Sequence, residues 1–277
     1  MTATDLFSLQ DRIVIITGGA GLLGGKHAEA VLSAGGIPVL LDISKEGLEA
    51  AKKRLLGAYP EGKVETFLAD ITDRAQLETI RETLMGQYGR IDCLINNAAN
   101  NPKMEGPAEN MGAIRFENFP LNIWQQDIAV GLTGALLCAQ VFGEAMAKAK
   151  QGVILNISSD LGIIAPDQRI YRKEGLTEEE QTVKPVTYSV IKHGLIGLTK
   201  YLATYYADKG IRANTLCPAG VENGQPEDFV EKLTNLVPMG RMAKPEEYMG
   251  TIVYLLSDAS RYMTGSTVIV DGGRTCW

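Results

Sequence analysis

Seven short apolar runs recur along the chain, at residues 12–16, 37–41, 64–68, 91–95, 152–157, 211–217 and 267–270. The first is continuous and rich in β-branched residues, which predicts a strand buried on both faces, as in a parallel sheet. Helical periods separate the runs. One covers Lys26 to Ala34; another ends at Tyr88, with Asp73 as its N-cap. A long one from Trp124 to Lys150 places Ile128, Leu132, Leu136 and Ala139 on one stripe. A fourth begins near Thr187, with Ile191, Leu195, Leu198 and Leu202 buried, and the last covers Pro245 to Leu256. Strand and helix alternate over the whole length, and no linker divides it. The pattern predicts an α/β protein with one doubly wound, mostly parallel seven-stranded sheet, a single domain over residues 1–277. Two segments break the pattern, 100–121 and the insertion-like 163–185. Long irregular stretches inside a compact domain are often functional.

The strand ends carry the polar residues. After the first strand comes Thr17-Gly18-Gly19-Ala20-Gly21-Leu22-Leu23-Gly24-Gly25, then a helix. Glycines let the backbone approach a pyrophosphate whose charge is met by helix N-terminal amides; the plain alternative is a tight βα turn without a ligand. Asp42 ends the second strand about 20 residues on, where a ribose hydroxyl would be bound, or where a helix cap would sit. The third strand leads to Asp70, the fourth to Asn96-Asn97-Ala98-Ala99, the fifth to Ser158-Ser159, and the sixth to Pro218-Ala219-Gly220.

Tyr188 and Lys192 lie one helical turn apart and therefore on one helix face. A phenol ordinarily titrates near 10, and an adjacent ammonium favours the phenolate, so such a pair can exchange a proton with a substrate oxygen. The spacing alone is weak evidence, because Tyr59/Lys63 and Tyr205/Lys209 share it. The first of these spans a Pro and a Gly; the second sits at a helix end. Only Tyr188 has a strand-end serine and a phosphate loop for company.

Composition removes other classes. The net charge is −6, from 27 basic and 33 acidic residues, with no basic run suited to nucleic acid or a membrane surface. We expect no apolar run of transmembrane length, no signal peptide and a cytoplasmic location. Cys93, Cys138, Cys217 and Cys276 are far apart and are expected to be free thiols. His27 and His193 are read as helix residues without chemistry, and no Cys/His spacing indicates a metal.

Thr17 to Gly24, Asn96 to Ala99, Ser158-Ser159 and Tyr188 to Lys192, in that order, resemble the short-chain dehydrogenase/reductase family over essentially the whole chain. The resemblance implies Ser159 as the group polarising the substrate oxygen, Tyr188 as general acid/base, and Lys192 holding the nicotinamide ribose while depressing the tyrosine's pKa. It implies NAD binding by Gly18, Gly21, Leu22, Leu23, Gly24, Asp42, Ile43, Asp70, Ile71, Asn97, Ala98, Ala99, Pro218 and Val221, with Tyr188 and Lys192. It also implies a homodimer or homotetramer, which Gly194 and Gly197 permit. Three features depart from the common pattern. Leu22 stands where a glycine is usual, Gly131 where the long central helix usually has a relay asparagine, and Ser159 lies unusually far from Tyr188. Within the family, the chain looks similar to flagellin-modification, surface-polysaccharide and gluconate 5-dehydrogenase-like members.

The expected activity is hydride transfer between NAD(H) and a secondary alcohol or ketone of a sugar or sugar derivative. Alternatives are a 3-oxoacyl-carrier-protein reductase and a non-catalytic nucleotide-binding regulator. Arg169, Arg172 and Lys173 lie between Ser159 and Tyr188 and are expected to hold an anionic substrate group, unless they pair with nearby glutamates at the surface.

Overall fold

The structure is a computed structural model and describes residues 2–100 and 115–277. All seven expected strands form: β1 (Ile13–Thr17), β2 (Ile37–Asp42), β3 (Glu65–Leu68), β4 (Cys93–Asn96), β5 (Gly152–Ile157), β6 (Ile211–Pro218) and β7 (Thr267–Val270). They make one sheet in the order β3-β2-β1-β4-β5-β6-β7, with every neighbouring pair parallel. The winding direction reverses between β1 and β4, which opens a crevice at their carboxyl ends.

The helices are α1 (Leu22–Ser33), α2 (Lys45–Ala58), α3 (Arg74–Tyr88), α4 (Leu121–Ile128), α5 (Gly134–Ala149), α6 (Val186–Tyr205), α7 (Glu227–Thr234) and α8 (Met249–Leu256). Ile13 and Ile15 of β1 face one core layer with Val39, Leu94, Phe142 and Leu202. Val14 and Ile16 face the other, with Leu40, Ile95, Leu155 and Leu256. Covering both faces is why the central runs are apolar without alternation. Asp73 caps α3, accepting from the amides of Ala75 and Gln76 at 2.9 and 3.3 Å.

The segment Leu121–Ala149, a π-helical turn at Ala129–Thr133 joining α4 to α5, is long and apolar enough to cross a membrane by length and composition. That corrects the expectation of no such run. Its apolar residues have partners in this fold: Cys138, Val141, Phe142 and Met146 are fully buried in the core layer under α5. Cys93, Cys138 and Cys217 are buried free thiols and Cys276 is exposed.

A buried polar chain docks α6 on the sheet. Asn96 Nδ2 donates to Asn156 Oδ1 at 2.8 Å, Asn156 Nδ2 donates to Thr199 Oγ1 at 2.8 Å, and Thr215 Oγ1 donates to the same oxygen at 2.6 Å. Buried polar groups are ordinarily paired in this way. The chain links β4, β5 and β6 to α6 and so fixes where Tyr188 and Lys192 stand.

Candidate active site

A cleft of about 500 Å³ opens at the carboxyl ends of β1, β4, β5 and β6. One end is built on the glycine turn. Gly18 has φ +64°, and a Cβ there would lie 3.0 Å from the Ala98 Cα. Thr17 Oγ1 accepts from the amides of Asn97 and Ala98, both at 3.0 Å, and Asn97 Nδ2 donates to the carbonyls of Thr17 and Gly18 at 3.0 and 3.3 Å. The ends of β1 and β4 are thus held together. Gly21 stands at the N-cap of α1 with no side chain to cap it, so the first amides of the helix are free for an anion. Asp42 accepts from the amides of Ala20 and Ser44, each at 3.0 Å, and lies along the same cleft. This bare turn, anion-ready helix start and strand-end carboxylate fit a dinucleotide.

Gly18, Gly21, Leu22, Leu23, Asp42, Asn97, Ala98, Ala99, Tyr188, Lys192, Pro218 and Val221 all line the cleft. Four expected cofactor residues do not. Any side chain at Gly24 would collide with the Gly18 carbonyl, so that glycine serves helix–loop packing. Ile43 is 75% exposed beyond β2. Asp70 is exposed and accepts from Thr72 through its own turn. Ile71 is buried and packs against Gly134.

At the other end, Ser159 Oγ donates to Asp160 Oδ1 at 2.7 Å and hydrogen-bonds the Tyr188 side chain. Ser158 Oγ donates instead to the Lys192 carbonyl at 2.7 Å, which leaves Ser159 as the serine available to a substrate. Lys192 is buried and donates to the Ile157 carbonyl at 2.9 Å. The expected lowering of the tyrosine by Lys192 is corrected here. Burial pushes Tyr188 up to about 12; the Ser159 hydrogen bond opposes this and the Asp160 charge adds to it. Lys192 is itself pushed down to about 8 by burial and by its neighbour Lys184. A phenol in that state is a proton donor at neutral pH.

Gly131, in the π turn, has no room for the relay asparagine. A Cβ there would come 2.8 Å from Ile191 Cγ2. We expect Gly131→Asn alone to destabilise the fold by about 1–3 kcal/mol through overpacking, and Ile191→Ser in the same chain to recover much of that loss. Thermal unfolding of the two single variants and the double variant checks this; additive losses would contradict it.

The insertion does reach the cleft, but not through Arg169, Arg172 or Lys173. Arg169 pairs with Asp167 at 2.6 Å and is 82% exposed, and Arg172 pairs with Glu178 at 3.0 Å and is 55% exposed. Lys173 is exposed as well. These three form a solvated surface. The segment delivers Ile170, Tyr171 and Lys184 instead, and Tyr171 packs on Phe229 at 5.5 Å between ring centroids. Sequence reading also missed Asp160 and Arg274, which line the same cleft. Their only sequence signal was position, one residue after Ser159 and directly after Asp271-Gly272-Gly273. His27 is buried and lowered to about 4 by burial, and His193 is exposed on α6, so neither serves the cleft.

A nucleotide crevice at the switch point of a parallel sheet, facing a tyrosine, serine and lysine, defines a dinucleotide-dependent oxidoreductase. The chain belongs to the short-chain dehydrogenases/reductases; the family model described as Enoyl-(Acyl carrier protein) reductase matches residues 20–275. It is 32% identical over 269 residues to a 3-oxoacyl-[acyl-carrier-protein] reductase of Thermotoga maritima, covering 96% of this chain and 98% of that protein. It is 30% identical over 277 residues to a D-threitol dehydrogenase of Mycolicibacterium smegmatis, covering 97% and 95%. Among solved structures, a gluconate 5-dehydrogenase from Burkholderia cenocepacia in complex with NADP and tartrate superposes with a TM-score of 0.83 at 26% identity, covering 100% of both chains. The protein is an NAD(P)-dependent short-chain dehydrogenase/reductase.

Proposed function

We propose that the protein prefers NAD(H) and interconverts a secondary alcohol and ketone on a small polyhydroxylated molecule, a sugar or sugar derivative. The observation that carries this reading is the meeting of Ser159, Tyr188 and Lys192 at one end of a cleft whose other end is the glycine turn. A bound nicotinamide supplies or accepts the hydride. In reduction, Tyr188 gives its phenolic proton to the carbonyl oxygen, and Ser159, turning from Asp160, donates a hydrogen bond to that oxygen. In oxidation Tyr188 takes the hydroxyl proton in its phenolate form, which its raised pKa makes a minor species at neutral pH, while Ser159 keeps its hydrogen bond to that oxygen. Lys192 would hold the nicotinamide ribose, and Pro218 and Val221, which line the same cleft, would help place the ring.

Polyhydroxylated substrates suit the cleft because Ser159, Asp160, Lys184, Asn223 and Gln225 all line it. The similarity to polyol and sugar-acid dehydrogenases supports the same reading. An acyl-carrier-protein substrate would favour a basic docking face, and a chain of net charge −6 suits that poorly. Steady-state rates with four- to six-carbon alditols, aldonates and ketoses, set against a 3-oxoacyl thioester, test the reading. Turnover of the thioester alone would overturn it.

The cofactor preference rests on Asp42. A carboxylate about 4 Å from a 2′-phosphate costs roughly 4 kcal/mol at an effective dielectric of about 20, before screening. One third of that is still about tenfold in affinity. Wild-type kcat/KM is therefore expected to favour NAD by about tenfold or more, and Asp42→Ala to narrow the gap. Equal efficiency with NADP in the wild type would contradict the assignment.

A further inference from the structure

Two cations at the substrate end have no part in hydride transfer as described above. Arg274 follows a turn in which Gly272 and Gly273 have φ +64° and +89°. Asp271 fixes that turn, accepting from the amides of Gly273 and Thr275 at 2.8 and 2.7 Å. The turn brings the Arg274 side chain into the cleft, where the residue is only 9% exposed. Among the described residues its guanidinium makes no hydrogen bond and no ion pair. An arginine so deeply buried is ordinarily paired. Its five donors in a planar fork suit a two-pronged contact with a carboxylate.

Lys184 supplies the second cation. Its Nζ lies 3.9 Å from the centroid of the Tyr188 ring, closer than Lys192 at 5.6 Å. Among the described residues it too lacks a carboxylate at ion-pair distance. The acids nearby are accounted for. Asp160 is held by Ser159 Oγ and by the Leu161 amide at 2.8 Å, and Asp167 is paired with Arg169.

We propose that Arg274 and Lys184 form the carboxylate-recognising end of the substrate site, so that the substrate is a polyhydroxy acid. The cations come from the chain's end and from the end of the insertion, and they take the place of Arg169, Arg172 and Lys173. The inference rests on the polyol reading above and names the chemical class within it.

The test compares kcat and KM for matched pairs, aldonates against alditols of the same length, such as D-gluconate and D-glucitol. The wild type is expected to favour the acids. Arg274→Ala should lower kcat/KM on acids by about ten- to a hundredfold, mainly through KM, and leave neutral polyols and the KM for NAD nearly unchanged. Lys184→Met should act in the same direction. Arg274→Lys should recover part of the loss, because it keeps the charge and loses the fork. Arg172→Ala, a surface pair with Glu178, serves as the unaffected control. If Arg274→Ala does not fold, Arg274→Gln and Lys184→Met carry the same comparison. Equal losses on acids and neutral polyols, or a wild type indifferent to the carboxylate, would overturn the anion site while leaving the polyol reading intact. Turnover confined to apolar ketones or thioesters would overturn both.

Discussion

Tyr188→Phe is expected to lower turnover by about a hundred- to ten-thousandfold, the usual size of a general acid/base contribution. The ring remains, so the packing of α6 and the contact with Lys184 are kept. Only the hydroxyl that hydrogen-bonds Ser159 is lost. NADH binding, followed by the fluorescence of the bound cofactor, should stay within about threefold of wild type, because the variant removes a proton carrier rather than a cofactor contact. In the wild type the phenol is pushed up to about 12, so it is protonated throughout the neutral range. Reduction should therefore not fall as pH rises from 6 to 8 through any loss of the Tyr188 proton. Near-normal turnover in Tyr188→Phe would remove the tyrosine from the chemistry.

Lys192→Met should lower kcat/KM by on the order of a hundredfold, with a raised KM for NAD, and yet leave the melting temperature at pH 7 no lower than that of the wild type. The reason lies in the cost of the buried ammonium. Burial, with Lys184 nearby, takes Lys192 from 10.5 to about 8. Between those two values the unfolded chain binds more protons than the folded one, so wild-type stability rises with pH across that window. Below about 8 the charged lysine costs the fold on the order of 3 kcal/mol, a cost that the methionine lacks. The hydrogen bond to the Ile157 carbonyl offsets part of the gain from substitution, since the carbonyl is left without that donor. Urea unfolding of both proteins at pH 7 and pH 10 reads the effect. A large stability loss in Lys192→Met at pH 7 would make the lysine a structural residue first.

The sheet was legible because its signal is strong and local. Runs such as Ile13–Thr17 are buried on both faces, so hydrophobicity alone marks them. The glycine turn, Asp42 and the Asn97-Ala98 corner were legible because phosphate approach restricts the residue types that serve there. Pairwise contacts were not. Nothing in the spacing shows that Ile191 fills the room beside Gly131, or that Lys184 lies over the Tyr188 ring. The insertion misled for a related reason. Arg169 and Arg172 are the conspicuous charges, but the short helical turn at Gln168–Tyr171 points Arg169 at its own cap Asp167 and turns Ile170 inward. Arg274 gave no sequence sign of its role, because its burial depends on a turn formed more than 80 residues after Tyr188.

The most direct test of the account is isotopic. Wild-type enzyme is given NADH deuterated at C4 of the nicotinamide and the best ketone from the polyhydroxylated panel, and the product alcohol is examined by mass spectrometry and NMR. The account predicts deuterium bound to the carbinol carbon of the product, with the hydroxyl proton drawn from solvent through Tyr188. Product alcohol without carbon-bound deuterium, or NADH left unconsumed with every ketone that the panel offers, would contradict it.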